Sequence, residues 1–202
     1  MGTPVDDVRI LRAIAHPVRN RILGELDAVG SLRAADIAAR LGIPANQASF
    51  HLRQLAKYGL VEEDAEAARD KRDRVWRAVD SGGLEVDTGR MAAEPGGAAA
   101  ARVYLNAAAA EAHRLVDHSY AAPDATWHLA GIHRSSSDDR LLLTPDEARA
   151  MREELTALVD RWREQGRRPE GAEQRLTYVL HTMLLPRPLE PGASDDTAED
   201  EA

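Results

Sequence analysis

The sequence predicts a mainly α (α+β) fold, with an N-terminal winged helix-turn-helix and a C-terminal domain of long helices with a few strands. Three observations predict it. Residues 31–59 hold two short stretches of helical apolar spacing separated by Gly42-Ile43-Pro44-Ala45, as in two helices joined by a tight turn. Directly after Gly59 the apolar period falls from about 3.6 to about 2, the change expected where strands replace helices. Beyond a glycine-rich stretch, positions 98, 101, 105, 108, 112 and 115 are apolar at alternating spacings of three and four, which makes a heptad seam.

The elements follow in order. From Asp6 to Ala15, Val8, Ile10, Leu11 and Ile14 have helical spacing. Pro17 then suits the first turn of a new helix, because its missing N–H is an orphan there in any case. That helix carries Val18, Ile22, Leu23 and Leu26 on one face and ends at Gly30. Ser31 is read as the N-cap of a third helix through Ile37, Ala38 and Leu41, stopped by Gly42. A fourth buries Ala48, Leu52 and Leu55 and closes at Gly59. Leu60–Glu63 and Val75–Val79 read as two strands, with Arg69-Asp70-Lys71-Arg72-Asp73-Arg74 as the hairpin tip between them. That hairpin is the wing.

Residues 81–97 are rich in glycine and end in Glu94-Pro95-Gly96-Gly97, so they read as a linker. The division expected is therefore a winged helix-turn-helix at 1–80, a linker at 81–97, a dimerisation and effector domain at 98–185, and a disordered acidic tail at 186–202. Within 98–185, Thr144-Pro145-Asp146-Glu147 announces a second long helix: an N-cap threonine, a proline at the first position and a glutamate three residues after the cap. Its face runs through Ala148, Met151, Leu155, Leu158 and Trp162. Trp127–His133, Arg140–Leu143 and Leu176–Leu184 read as strands.

Charge sharpens this division. The net charge is −8, yet residues 1–80 carry 13 Lys/Arg against 12 Asp/Glu, whereas residues 81–202 carry 13 against 22. The acid sits in the second half, which leaves room for a local basic surface in the first. The absence of cysteine excludes disulfides, thiolate metal ligands and a cysteine nucleophile. No run approaches the roughly 18 apolar residues of a membrane span, and Asp6 and Asp7 follow the start too closely for a signal core. A cytoplasmic protein with no membrane partner is expected.

In a helix-turn-helix the second helix enters the major groove, with its N-terminal residues at the base edges and flanking groups on phosphates. The candidates here are Asn46, Gln47, Ser49, Phe50 and Arg53. Asn and Gln suit adenine and Arg suits guanine, through paired hydrogen bonds that match each base edge. Asn46 and Gln47 have an ordinary alternative as exposed polar residues of a helix start. Their place after a tight turn and before a basic hairpin favours base contact. Arg69, Lys71, Arg72 and Arg74 of the wing are phosphate or minor-groove candidates, the alternative being a solvated turn paired with Asp70 and Asp73. Arg19 and Arg21 are weaker phosphate candidates. His51 either binds a phosphate or packs within the domain; the sequence leaves both open.

Ile37-Ala38-Ala39-Arg40-Leu41-Gly42-Ile43-Pro44, Ser49-Phe50-His51-Leu52-Arg53-Gln54-Leu55 and Gly59-Leu60-Val61, with the opening Ala15-His16-Pro17-Val18-Arg19-Asn20-Arg21-Ile22-Leu23, resemble the ArsR/SmtB family of bacterial transcriptional regulators. The likeness spans about residues 8 to 80. It implies a homodimeric repressor on double-stranded DNA that releases or rearranges when an effector binds. Where that family carries its thiolate metal box, this chain has Leu32-Arg33-Ala34-Ala35-Asp36, with Arg33 and Ala35 at the cysteine positions, so that metal site is absent. The second half resembles longer members with an added dimerisation or sensing domain.

The other chemistries are weaker. His113 and Asp117 share a helix face, with Glu111 or His118 nearby, but a solvated face explains them better than a metal. Ser135-Ser136-Ser137-Asp138-Asp139 reads as a polar turn, and Gly82-Gly83 lacks the lysine or helix start of a phosphate loop, so neither an enzyme nor a cofactor is expected. Two alternatives remain. One is a winged-helix module for protein contacts, against which the four basic residues of the wing argue. The other is a regulator that binds an unknown small-molecule effector, with Tyr104, Tyr120, Trp127, Trp162 and Tyr178 around an apolar cavity in place of plain core.

Overall fold

The computed structural model describes residues 3–69, 74–80, 84–121, 133, 135–167 and 175–186. Helices α1 (Val8–Ile14), α2 (Pro17–Val29), α3 (Ala34–Leu41) and α4 (Ala45–Lys57) form the first half, with strands β1 (Thr3–Pro4), β2 (Leu32–Arg33), β3 (Val61–Glu63), β4 (Val75–Ala78) and β5 (Leu84–Glu85). Among the described residues three further helices follow: α5 (Thr88–Ala93), α6 (Gly97–Ala121) and α7 (Pro145–Arg167). The architecture is a mainly helical α+β fold with an N-terminal helix-turn-helix and wing, as the spacing predicts.

Local chemistry sets the helix ends. The Asp7 carboxylate caps α1 by accepting from the Arg9 N–H at 2.7 Å. His16 caps α2, its Nδ1 accepting from the Val18 N–H at 3.2 Å, with Pro17 in the first turn. α3 closes on Gly42 in the left-handed region (φ 63°), where a side chain would be strained. This gives the tight Gly42–Pro44 turn into α4. Among the described residues Leu11, Ile22, Leu26, Ile37, Leu52, Leu55 and Met91 are the most deeply buried large side chains, and each contributes about 1.5–3 kcal/mol by leaving water.

The wing is a three-stranded antiparallel sheet in the order β2-β4-β3. Glu62 lies opposite Arg77 and pairs with it at 2.7 Å. The third strand, β2, corrects the expectation for Ser31. Leu32 pairs opposite Trp76 and is buried, so the chain stays extended through Arg33 and α3 starts two residues later than a Ser31 cap implies. Ser31 instead donates to the Asp64 carboxylate beside the wing. At the start of α3 it is Asp36 that accepts, from the Arg33 N–H and guanidinium.

The segment read as a linker is structured where it is described. β5 pairs in parallel with β1, Asp87 caps α5 through the Arg90 N–H at 2.9 Å, and Met91 is buried in the same core as α1 to α4. Gly97, Ala100 and Ala101 continue that core into α6. A Cβ on Gly97 would stand 1.8 Å from the Met91 carbonyl oxygen, so only glycine allows α6 to start so close to α5. With one large buried side chain, α5 has too little periodicity to be seen in sequence.

Helix α7 begins as predicted, with a reciprocal cap in which the Thr144 N–H donates to Glu147 at 2.8 Å and the Glu147 N–H to Thr144 Oγ1 at 3.3 Å. It packs along α2, half-burying Met151, Leu155, Val159, Arg163 and Arg167, while Trp162 is 66% exposed. Arg140–Leu143 and Leu176–Leu184 are not strands, contrary to the sequence pattern. Alternation shows which faces a strand would have, but a strand needs a partner, and none pairs with them among the described residues. Most of the strand read at Trp127–His133, and the tail from 187 onward, lie outside the described residues.

Candidate nucleic-acid interface

Helix α4 divides sharply into two faces. Ala48, His51, Leu52 and Leu55 are buried, while Asn46, Phe50, Arg53 and Lys57 are exposed and Gln47 and Ser49 are half-buried. The exposed set recurs at helical spacing along one stripe, opposite the apolar stripe that packs on α2 and α3. Phe50 is 49% exposed, an unusual place for an aromatic that packs only within its own fold.

At the first turn of α4 the Asn46 carboxamide oxygen accepts from the Gln47 N–H at 2.9 Å, which fixes that side chain over the helix end. Pro44 supplies no side-chain cap. Arg53, Lys57 and Arg69 make no ion pair among the described residues. Arg74 lies 3.6 Å from Glu63 and is well exposed. Lys71 and Arg72 fall outside the described residues. Lys57 was not singled out in sequence; its place four residues after Arg53 is the signal that would have found it.

Three sequence candidates turn inward. The Arg19 guanidinium donates to the carbonyls of Ala13 and Arg12 and so caps the C-terminal end of α1. Arg21 donates to the Leu41 carbonyl at 3.3 Å, at the end of α3. Both satisfy orphan carbonyls of a helix end, which competes with a phosphate role. His51 is 4% exposed, with its ring 4.5 Å from that of His16 and edge-on to Phe50. Of its two sequence alternatives it takes the packed one. Burial, followed by neighbouring positive charge, holds both imidazoles below the ordinary histidine range.

Elsewhere, Glu111 is taken up by Arg114 at 2.5 Å, and the described residues hold no cluster of three metal-ligating side chains. Tyr104 is half-buried, but Tyr120, Trp162 and Tyr178 are exposed, so these rings do not enclose a cavity; Trp127 lies outside the described residues. No helix among the described residues is long and apolar enough to cross a membrane.

Residues 14–64 match the family described as a helix-turn-helix domain. The match begins in the last residue of α1 and ends just past β3, so it takes in α2 to α4, the exposed stripe of α4 and one strand of the wing. Among solved structures, a mutant of Lactococcus lactis ZitR in its apo form is 17% identical, with a TM-score of 0.32 over 73% of this chain and 83% of that one. No curated protein matches.

Proposed function

We propose that this protein is a sequence-specific DNA-binding transcriptional regulator, a repressor that acts as a homodimer. The observation that carries the reading is the outward stripe of α4, where Asn46, Gln47, Ser49, Phe50 and Arg53 stand in the helix that follows the tight turn of a helix-turn-helix. In this reading Asn46, Gln47 and Arg53 read base edges, Phe50 lies against a thymine methyl or sugar, and Lys57, Arg69, Lys71, Arg72 and Arg74 hold phosphates. His51 supports the helix from behind and does not touch DNA.

The dimer rests on α6 and α7. Leu105, Ala108 and Val116 are exposed on the alanine-rich α6, and Leu158 and Trp162 on α7, apolar residues that a second copy would cover. Two such copies would set their recognition helices about 34 Å apart on a pseudo-palindromic site.

Fluorescence anisotropy against DNA from immediately upstream of the protein's own gene, beside a scrambled duplex and over a range of salt, tests this reading. Preference for the upstream duplex with a steep salt dependence supports it. Gln47→Ala should relax sequence preference, and Arg72→Ala should weaken all duplexes alike and flatten the salt slope by about 0.9 per lost phosphate contact. Equal weak binding of both duplexes by the parent would overturn it.

A further inference from the structure

We propose that His16 and His51 form a proton-sensitive latch between the start of α2 and the inner face of α4, so that acidification loosens the seat of the exposed stripe. The effect on DNA rests on the reading of α4 given above; the latch itself does not.

The geometry leaves no place for a further proton. His16 Nδ1 already accepts the Val18 N–H at 3.2 Å, so in the neutral ring the proton sits on Nε2 and the Nδ1 lone pair is the cap of α2. Protonating Nδ1 turns that acceptor into a donor facing another donor and removes the cap. The His51 ring lies 4.5 Å from His16, is 4% exposed, and its Nδ1 has no hydrogen-bond partner among the described residues. An imidazolium there would be desolvated and would face a second ring able to take the same charge.

Among the described residues the surroundings offer no compensating anion, and the backbone hydrogen bond that favours a charged His16 is outweighed by burial. On α2, the charged group acting on both rings is the Arg19 guanidinium, a cation held against the carbonyls of Arg12 and Ala13 at the end of α1. The Arg12 side chain itself reaches the other way, to the Gly96 carbonyl. On α4, the neighbour of His51 is the neutral Phe50 ring, and just past that helix Tyr58 acts on Arg19. Among the described residues, no carboxylate acts on either imidazole.

The sign follows from linkage. Both rings are held neutral in the fold more firmly than in an open chain, whose histidines titrate near 6.5. The neutral pair's contribution is therefore full above about pH 6.5 and declines as the pH falls below that value. The elements that pay are those the pair joins: the first turn of α2 and the whole of α4.

The test uses the full chain without DNA. Histidine ring resonances are followed from pH 8 to 5, and amide exchange of residues 17–20 and of α4 is compared at pH 7.5 and 5.5 after correction for the intrinsic rate. The two rings should titrate below the exposed histidines, and opening of these segments should rise about fivefold to tenfold at the lower pH. His16→Asn, which keeps a cap acceptor but does not titrate, and His51→Gln should each reduce that rise. Opening unchanged between the two pH values, or a rise undiminished in both variants, would overturn the latch. Anisotropy on the upstream duplex adds a second arm: affinity should fall on acidification, and fall less in His16→Asn. The exchange result together with no duplex binding would support the latch and overturn the recognition reading.

Discussion

Among the described residues every buried side chain lies between Val5 and Ala101, and none lies beyond. The first half closes around leucine and isoleucine from four helices, Trp76 of the wing and Met91. The second half has longer helices, but α6 offers mostly alanine to its surroundings and α7 touches α2 with one half-buried face. Helix length alone therefore does not make a core; apolar volume facing a partner does. Past the apolar start of α6, polar ties add to the half-buried face of α7 in holding the second half to the first. Arg167 donates to the Asp27 carbonyl, and Thr177 meets Arg40 at 3.1 Å and Glu25 at 3.3 Å.

This contrast can be broken most severely in the first half. Leu52→Ala, at a site with no exposure, should cost about 2–5 kcal/mol in chemical denaturation. Leu142→Ala, at a fully exposed leucine, should change stability by less than about 0.5 kcal/mol. Equal losses at the two sites would show that the second half has a core of its own.

Gly97→Ala probes the seam between the halves. The added methyl would strike the Met91 carbonyl, and separating α5 from α6 should cost about 1–3 kcal/mol or more in thermal unfolding. A silent substitution would mean that α6 docks independently of Met91.

Asp27, where α2 meets α7, gives a smaller effect with a pH signature. Burial pushes its carboxyl up to about 6, against the pull of Arg163 and Arg167. A raised carboxyl contributes stability below its ordinary value of 3.8, and that contribution is lost as pH rises through about 6. Asp27→Asn should then be neutral near pH 4 and stabilise the fold by about 1 kcal/mol at pH 8, after allowance for screening at a partly exposed site. A gain at pH 4 instead would refute the cause.

The smallest effect on folding is expected at the proposed dimer face. Val116→Lys should leave the melting of the first half within about 0.5 kcal/mol of the parent while shifting sedimentation from dimer to monomer. A dimer that survives would move the interface away from α6.

Much of the helix-turn-helix was legible because its signals are local. Pro17, Gly42, Gly59 and the Thr144 cap act within one turn of chain, and the apolar spacing of Ala48, Leu52 and Leu55 already implies which side of α4 faces out. The stripe of Asn46, Phe50 and Arg53 follows from that spacing alone. Ser31 misled because serine is a good cap wherever the chain turns helical, and here β2 pairing with Trp76 delays the turn. The strands read at 140–143 and 176–184 misled because alternation is necessary for a strand and pairing is what makes one.

By itself, then, the sequence determined the helices of the first half, the turn between α3 and α4, strands β3 and β4 and the outward residues of α4, since each depends on neighbours within a few positions. Only the tertiary structure decided that Arg19 and Arg21 cap helix ends, that His51 meets His16, and that Met91 and Gly97 belong to the core. Those outcomes depend on groups brought together from distant parts of the chain. Local periodicity holds no record of which distant carbonyl, ring or methyl will arrive.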